Sequence, residues 1–141
     1  MTTHNYNRQD VGLFLIRIML AAVFLFHGSQ KLFGIFDGPG ISGFAGWLES
    51  LGLPLPTLSA YLATFAEVLG GIALLIGCQV RFASLALAVT MLVAAFTAHS
   101  GFNFTKGGME YPLTLAVVLI ALFLIDGGKL TIANLISKDS S

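Results

Sequence analysis

Glu67 has the strongest claim to chemistry in this sequence, because it lies about ten residues into an apolar run that begins near Leu58. At 1.5 Å per residue that depth is ~15 Å, close to the middle of a bilayer. A charged side chain there costs about 2.5–3.5 kcal/mol on insertion scales, so its retention asks for a proton, a cation or a ligand. His27 and Lys31 form an i, i+4 pair on one face of the preceding apolar run. His99 ends the third run, and Lys106 and Glu110 flank the start of the fourth. If the helices alternate up and down, His27, Lys31, Glu67, His99 and Glu110 face one outward-opening cavity, with Glu67 at its floor. Such a set suits binding of a polar headgroup or passage of protons. No metal site is expected, since the two histidines sit on different helices without HxxxH or ExxH spacing. The plainer alternative is a structural network. There Glu67 neutralises Lys31 or a histidine, while Lys31 and Lys106 snorkel to the interface.

The elements that must hold these residues are membrane spans. The first is expected over residues 11–33, the second over 58–77, the third over 81–99 and the fourth over 111–130, with an apolar continuation to Leu135. Each approaches the ~20 residues needed to cross ~30 Å of hydrocarbon, and lipid admits such a segment only as a helix. The first run carries Arg17 and no small-x-small cleavage site, so it reads as a retained helix. Residues 34–43 (GIFDGPGISG) read as a loop. Residues 44–51 (FAGWLESL) place Phe44, Trp47, Leu48 and Leu51 at helical spacing, an amphipathic stretch expected on the bilayer surface. Pro54 and Pro56 separate it from the second span. The polar first ten residues are expected to fray. The fold class is therefore an all-α membrane protein: a single domain over 1–141, built as a four-helix transmembrane bundle with a short interfacial helix in its first extracytoplasmic loop.

Composition agrees. Of 141 residues, 56% are hydrophobic and 10% charged, against roughly 25% charged in soluble domains. Seven basic and seven acidic residues cancel, and the basic ones are scattered, which excludes a nucleic-acid partner. The single cysteine, Cys78, excludes an internal dithiol or a four-thiolate metal site. With the N-terminus inside, Arg8, Arg17, Arg81, Lys129 and Lys138 fall on the cytoplasmic side, and Lys31 and Lys106 outside. Five against two predicts both termini cytoplasmic. Arg17 and Asp126 fall at similar depth and are expected to form a structural ion pair. Gly70 and Gly71, one turn below Glu67, are expected to let helices pack closely; room for a flat ligand is their other reading.

Three stretches resemble the DoxX family of small four-helix membrane proteins, within a broader DoxX/DoxD/MauE-like group. They are RIMLAAVFLFHGSQKLFG (17–34), AEVLGGIALLIG (66–77) and the segment from His99 through GGMEYPLTL (107–115). The resemblance spans about residues 11–130. It implies a multi-pass protein of the bacterial cytoplasmic (inner) membrane, associated with oxidoreductases. DoxD-like members look like membrane subunits of a thiosulfate:quinone oxidoreductase, DoxX-like members are linked with complexes handling thiol and oxidative stress, and MauE-like members with maturation of a periplasmic dehydrogenase. The matching positions are His27, Gly28, Lys31, Glu67, Gly70, Gly71, His99, Glu110, Tyr111 and Pro112. The resemblance assigns no catalytic role to any of them.

Two functions stay open on the sequence. One is a membrane oxidoreductase subunit whose outer cavity takes a quinone, with His27, Lys31 and Glu67 supplying hydrogen bonds and Phe26, Phe65 and Phe96 lining the tail. With no redox motif of its own, such a chain needs a partner subunit. The alternative is a non-catalytic accessory or assembly protein that holds a partner, or a second copy of itself, through its glycine and alanine faces or the amphipathic stretch around Trp47. A transporter ranks below both, because four continuous spans leave little room for alternating access.

Overall fold

The computed structural model describes residues 6–139, with side chains to 136. The described residues are helical, with no strand among them. α1 is Arg8–Phe33, α2 Gly40–Ser50, α3 Pro56–Ile76, α4 Val80–Thr97, α5 Glu110–Ile125 and α6 Ile132–Asp139, with one 3₁₀ turn at Phe104–Lys106. α1, α3 and α4 are long and apolar enough to cross a membrane, and α5 is a shorter apolar helix of 16 residues. Large apolar side chains stand outward on all four, including Met19, Leu69, Phe96 and Leu124. A surface of that kind is a lipid-facing one.

Helix boundaries follow from local chemistry. α1 starts three residues before the expected span because Asn7 caps it. The Asn7 side chain accepts from the Asp10 N–H at 2.9 Å, and the Asp10 carboxylate accepts from the Asn7 N–H at 3.0 Å. Such reciprocal capping contributes about 1 kcal/mol, enough to order residues 8–10 that the sequence read as frayed. The remainder of that expectation, residues 1–5, lies outside the described residues, as does the Lys138 side chain. The last apolar helix stops at Ile125, short of the expected residue 130. Asp126 takes a left-handed φ of 67°, Gly127 and Gly128 follow, and the chain restarts as α6.

The principal packed pairs run α5 on α4, α4 on α3 and α3 on α1, with α2 seated on α3 and α1. The larger of two buried clusters fills one end. There Leu20, Phe24, Leu74, Leu87, Leu119 and Leu122 are all buried against one another. Gly70 sets the α3–α4 approach: a Cβ on it would stand 2.8 Å from Leu87 Cγ. Gly71 does the same toward α1, where a Cβ would stand 2.9 Å from Leu25 Cγ. Gly70→Ala is accordingly expected to lower stability by about 1–3 kcal/mol through overpacking, despite the helix-propensity gain of ~0.5–1 kcal/mol. Gly12→Ala, which meets nothing within 4 Å, is expected to keep that gain. Thermal unfolding in one detergent distinguishes them; equal shifts would show that Gly70 is no packing position.

The expected Arg17–Asp126 ion pair does not form. Arg17 is 1% exposed, and its guanidinium donates to three carbonyls instead: Leu74 at 3.0 Å, Gly127 at 2.8 Å and Leu130 at 2.9 Å. Asp126 is exposed, and its carboxylate accepts from the Gly127 N–H at 2.7 Å. A planar fork of five donors is better matched by several converging helix-end carbonyls than by one carboxylate. Those carbonyls converge because α3 ends beside the turn that follows α5. Asp10 adds a second tie to the same turn, accepting from the Lys129 N–H at 3.0 Å.

Candidate functional site

Away from that packed end the helices part around a cavity of about 490 Å³. Phe24, Met91 and Leu115 belong to both core and cavity wall, so they form its floor. The polar side chains on its wall include His27, Lys31, Glu67 and His99.

Lys31 reaches Glu67 because α1 and α3 cross closely at Gly28. A Cβ on Gly28 would stand 2.7 Å from Val68 Cγ2 and 3.4 Å from Glu67 Cβ. One turn further along α1, Lys31 Nζ donates to Glu67 Oε1 at 2.5 Å. Glu67 is 1% exposed and Lys31 22%, so the acid lies inside the protein while the amine looks out into the cavity. The pair is what the structural reading of these residues expects. Two features exceed that reading. Glu67 Oε2 is buried with no hydrogen-bond partner among the described residues, and so is Thr64 Oγ1 one turn earlier. An unmatched buried acceptor costs ~1–3 kcal/mol, and more when charged. The ammonium also stands 4.9 Å from the Phe44 ring centroid, which ties α2 to the pair.

α2 shows which way its apolar side faces, a point the sequence left open. Its amphipathic pattern is real, but the apolar side turns into the protein. Phe44 and Leu48 are buried against Ala60 of α3 and line the cavity with Trp47. Trp47 remains half exposed at the mouth.

Two histidines share the wall: His27, one turn before Lys31 on α1, and His99, just past the end of α4. His27 Nδ1 lies 3.1 Å from Gln30 Oε1, and the Gln30 amide in turn donates from Nε2 to the Phe36 carbonyl at 3.0 Å. His99 Nδ1 lies 2.8 Å from the Ala94 carbonyl oxygen.

Two expectations fail here. Glu110 is not on the cavity wall; Tyr111 and Pro112 are. One residue turns a helix by about 100°, and α5 begins at Glu110, so the register directs the tyrosine inward. Lys106 is exposed. Nor do Phe26, Phe65 and Phe96 line the cavity; all three are exposed. Phe26 stacks outside on Phe36 at 5.2 Å, whereas Phe24, two residues and half a turn away, is the inward one. No group of three His, Cys, Asp or Glu side chains able to hold a metal ion occurs among the described residues.

Comparison with known proteins gives the site a lineage. The DoxX family model matches residues 12–100, which contain His27, Lys31, Glu67 and His99 but stop short of Tyr111. An uncharacterized Haemophilus influenzae protein is 29% identical over 134 residues, covering 91% of this chain and 85% of that protein. The Bacillus subtilis protein named "Putative oxidoreductase CatD" is 27% identical over 115 residues, 82% of this chain and 79% of its own. The Escherichia coli "Inner membrane protein YqjF" is 29% identical over 135 residues, 92% of this chain and 95% of its own. No solved structure matches the chain. The family match takes in all three long apolar helices and well over half of the sequence, and the chain belongs to the DoxX family as one of its membrane proteins.

Proposed function

We propose that this chain is the membrane subunit of an oxidoreductase system and that its cavity takes a quinone headgroup. The observation that carries the reading is an ionised pair, Lys31–Glu67, set into a mostly apolar cavity with one carboxylate oxygen left unmatched. A structural pair would be expected to use both oxygens. The name borne by the Bacillus subtilis relative supports the oxidoreductase setting.

The residues fit the group. A quinone ring is flat and apolar between two polar oxygens, and the cavity alternates in the same way: Phe24, Phe44 and Leu62 offer apolar wall, Lys31 and Tyr111 offer donors. A bound quinone supplies two-electron, two-proton redox chemistry. The chain's own part is to bind and orient it, exclude water through the floor at Phe24, and hold a proton at Glu67 or Lys31. With a single cysteine and no redox motif, electrons must come from a partner subunit.

The same reading makes α5 the fourth span and α2 an interfacial cover in the outer leaflet, both within one DoxX-like domain. α5 has 16 residues, or ~24 Å, short for a bilayer but free of charge between Glu110 and Asp126 and packed along α4. Local thinning accommodates a short span at small cost. The basic-residue bias supports a cytoplasmic packed end, with the cavity opening to the other side of the inner membrane.

Trp47 is the sole tryptophan and lines the cavity, so its fluorescence reports occupancy. Titration of the protein in lipid nanodiscs with a short-tailed quinone is expected to give saturable quenching. In Glu67→Gln the Kd is expected to rise at least tenfold, about 1.4 kcal/mol. Unchanged binding in that variant would remove Glu67 from the site and the reading with it.

A further inference from the structure

Resting on the quinone reading, we infer that the cavity has a second opening, sideways between α3 and α4 into the bilayer hydrocarbon, and that the apolar tail of the quinone lies in it. A cavity closed inside a bundle touches only the inward stripe of each helix. This one wraps around two facing edges. On α3, where each residue turns the helix by about 100°, the wall starts at the inward Glu67. It passes through Ala63 and Ser59, on the side where Gly70 meets α4, and ends on Leu62. Leu62 is 64% exposed and shares the lipid-facing side of α3 with Leu69. On α4 the wall passes from the buried Met91 through Ala94 and Thr97 to Val93 and Val89, which are 47% and 53% exposed. Two neighbouring helices lined from inside to outside along their facing edges have a gap between them.

Side-chain size explains the gap. Gly70 against Leu87 pins the two helices nearer the packed end, and beyond it Ala63 and Ala94 are too small to close the space. The hydroxyls beside the gap are already satisfied. Ser59 Oγ donates to the Pro54 carbonyl at 3.1 Å, Thr90 Oγ1 to the Ala86 carbonyl at 2.9 Å and Thr97 Oγ1 to the Val93 carbonyl at 2.7 Å. With no hydroxyl hydrogen left over, the passage suits a hydrocarbon chain and offers a polar head no donor. The head belongs at Lys31, which uses one N–H on Glu67 Oε1 and, as an ammonium, keeps two more. Depth agrees, since Val89 lies about halfway along the 18-residue α4, at the level of acyl chains rather than headgroups. A ligand dissolved in lipid thus reaches the cavity without crossing water, by a route separate from the mouth at Trp47. The tail lining expected of Phe26, Phe65 and Phe96 falls instead to Leu62, Ala63, Val93 and Ala94.

The test is photolabelling of the full chain in nanodiscs by decyl-ubiquinone carrying a diazirine at its tail end, with and without excess unlabelled decyl-ubiquinone, alongside Trp47 quenching. Competition separates occupancy of the gap from labelling of the lipid-facing surface. The expected result is quenching together with competed adducts on residues 59–63 and 89–97, mapped by mass spectrometry. Ala94→Phe, which fills the gap and leaves Lys31 and Glu67 in place, should raise the Kd of decyl-ubiquinone at least about tenfold and leave that of the same ring without its tail nearly unchanged. The adducts are read on the unmodified chain, so the result stands even where the variant fails to fold. Quenching with competed adducts elsewhere, or with none, overturns the side opening and leaves the quinone reading in place. Neither quenching nor competed adducts overturns both.

Discussion

Lys31→Met is expected to destabilise the protein more than removing both members of its pair does. Glu67 is 1% exposed, so the single variant strands a carboxylate in low dielectric with both oxygens unmatched. Breaking a buried pair in this way costs about 3–5 kcal/mol, whereas replacing both partners by apolar groups of similar volume is often neutral or stabilising. The expected fall in Tm for Lys31→Met is on the order of 10 °C. Lys31→Met combined with Glu67→Met should recover most of it while losing quinone quenching. Thermal unfolding of the four proteins in one detergent closes the cycle. If the double variant melts as low as Lys31→Met, the penalty lies in lost lysine packing on Phe44, and the ion pair contributes little.

Arg17→Leu is expected to cost more than any other single change at the packed end. Three carbonyls lose a charged donor, and hydrogen bonds to charged groups contribute ~1.5–3 kcal/mol each. The loss should be at least ~4 kcal/mol and unevenly spread, because Leu74 ends a helix while Gly127 and Leu130 lie in a turn with few other ties. Amide hydrogen exchange should show residues 127–131 losing protection before any long helix does. Arg17→Lys is expected to rescue only part, since one ammonium cannot fork to three separated oxygens. Uniform deprotection across the helices would mean that Arg17 supports the whole bundle rather than the turn.

Much of the architecture was legible in the sequence, and the misses share a cause. Apolar runs and glycine–proline breaks located the three long helices to within about three residues, because lipid solvation dictates both length and composition. Residues 126–128 carried a stop signal, Asp-Gly-Gly, that the apolar residues beyond it obscured. Depth along an apolar run marked Glu67 and Arg17 as residues needing partners. It did not separate a carboxylate from a nearby carbonyl, so Arg17 was matched to Asp126 rather than to Gly127. Rotation about a helix axis was the other blind spot. Phe24 against Phe26, and Tyr111 against Glu110, are decided by one or two residues of register that hydropathy alone does not set. For α2, amphipathicity reported an apolar face, but lipid and a neighbouring helix are equally apolar to such a pattern.

The Arg17 contacts also bear on how the chain is made. Two of its acceptors lie 110 and 113 residues further along the chain. A ribosome delivers the guanidinium long before the oxygens that will hold it exist. Throughout synthesis the first helix must keep that charge near water or the insertion machinery, and it settles to its final depth only when the last turn arrives. The ordering of this protein is thus completed from its C-terminal end, and a chain cut before residue 127 leaves Arg17 with one of its three carbonyls.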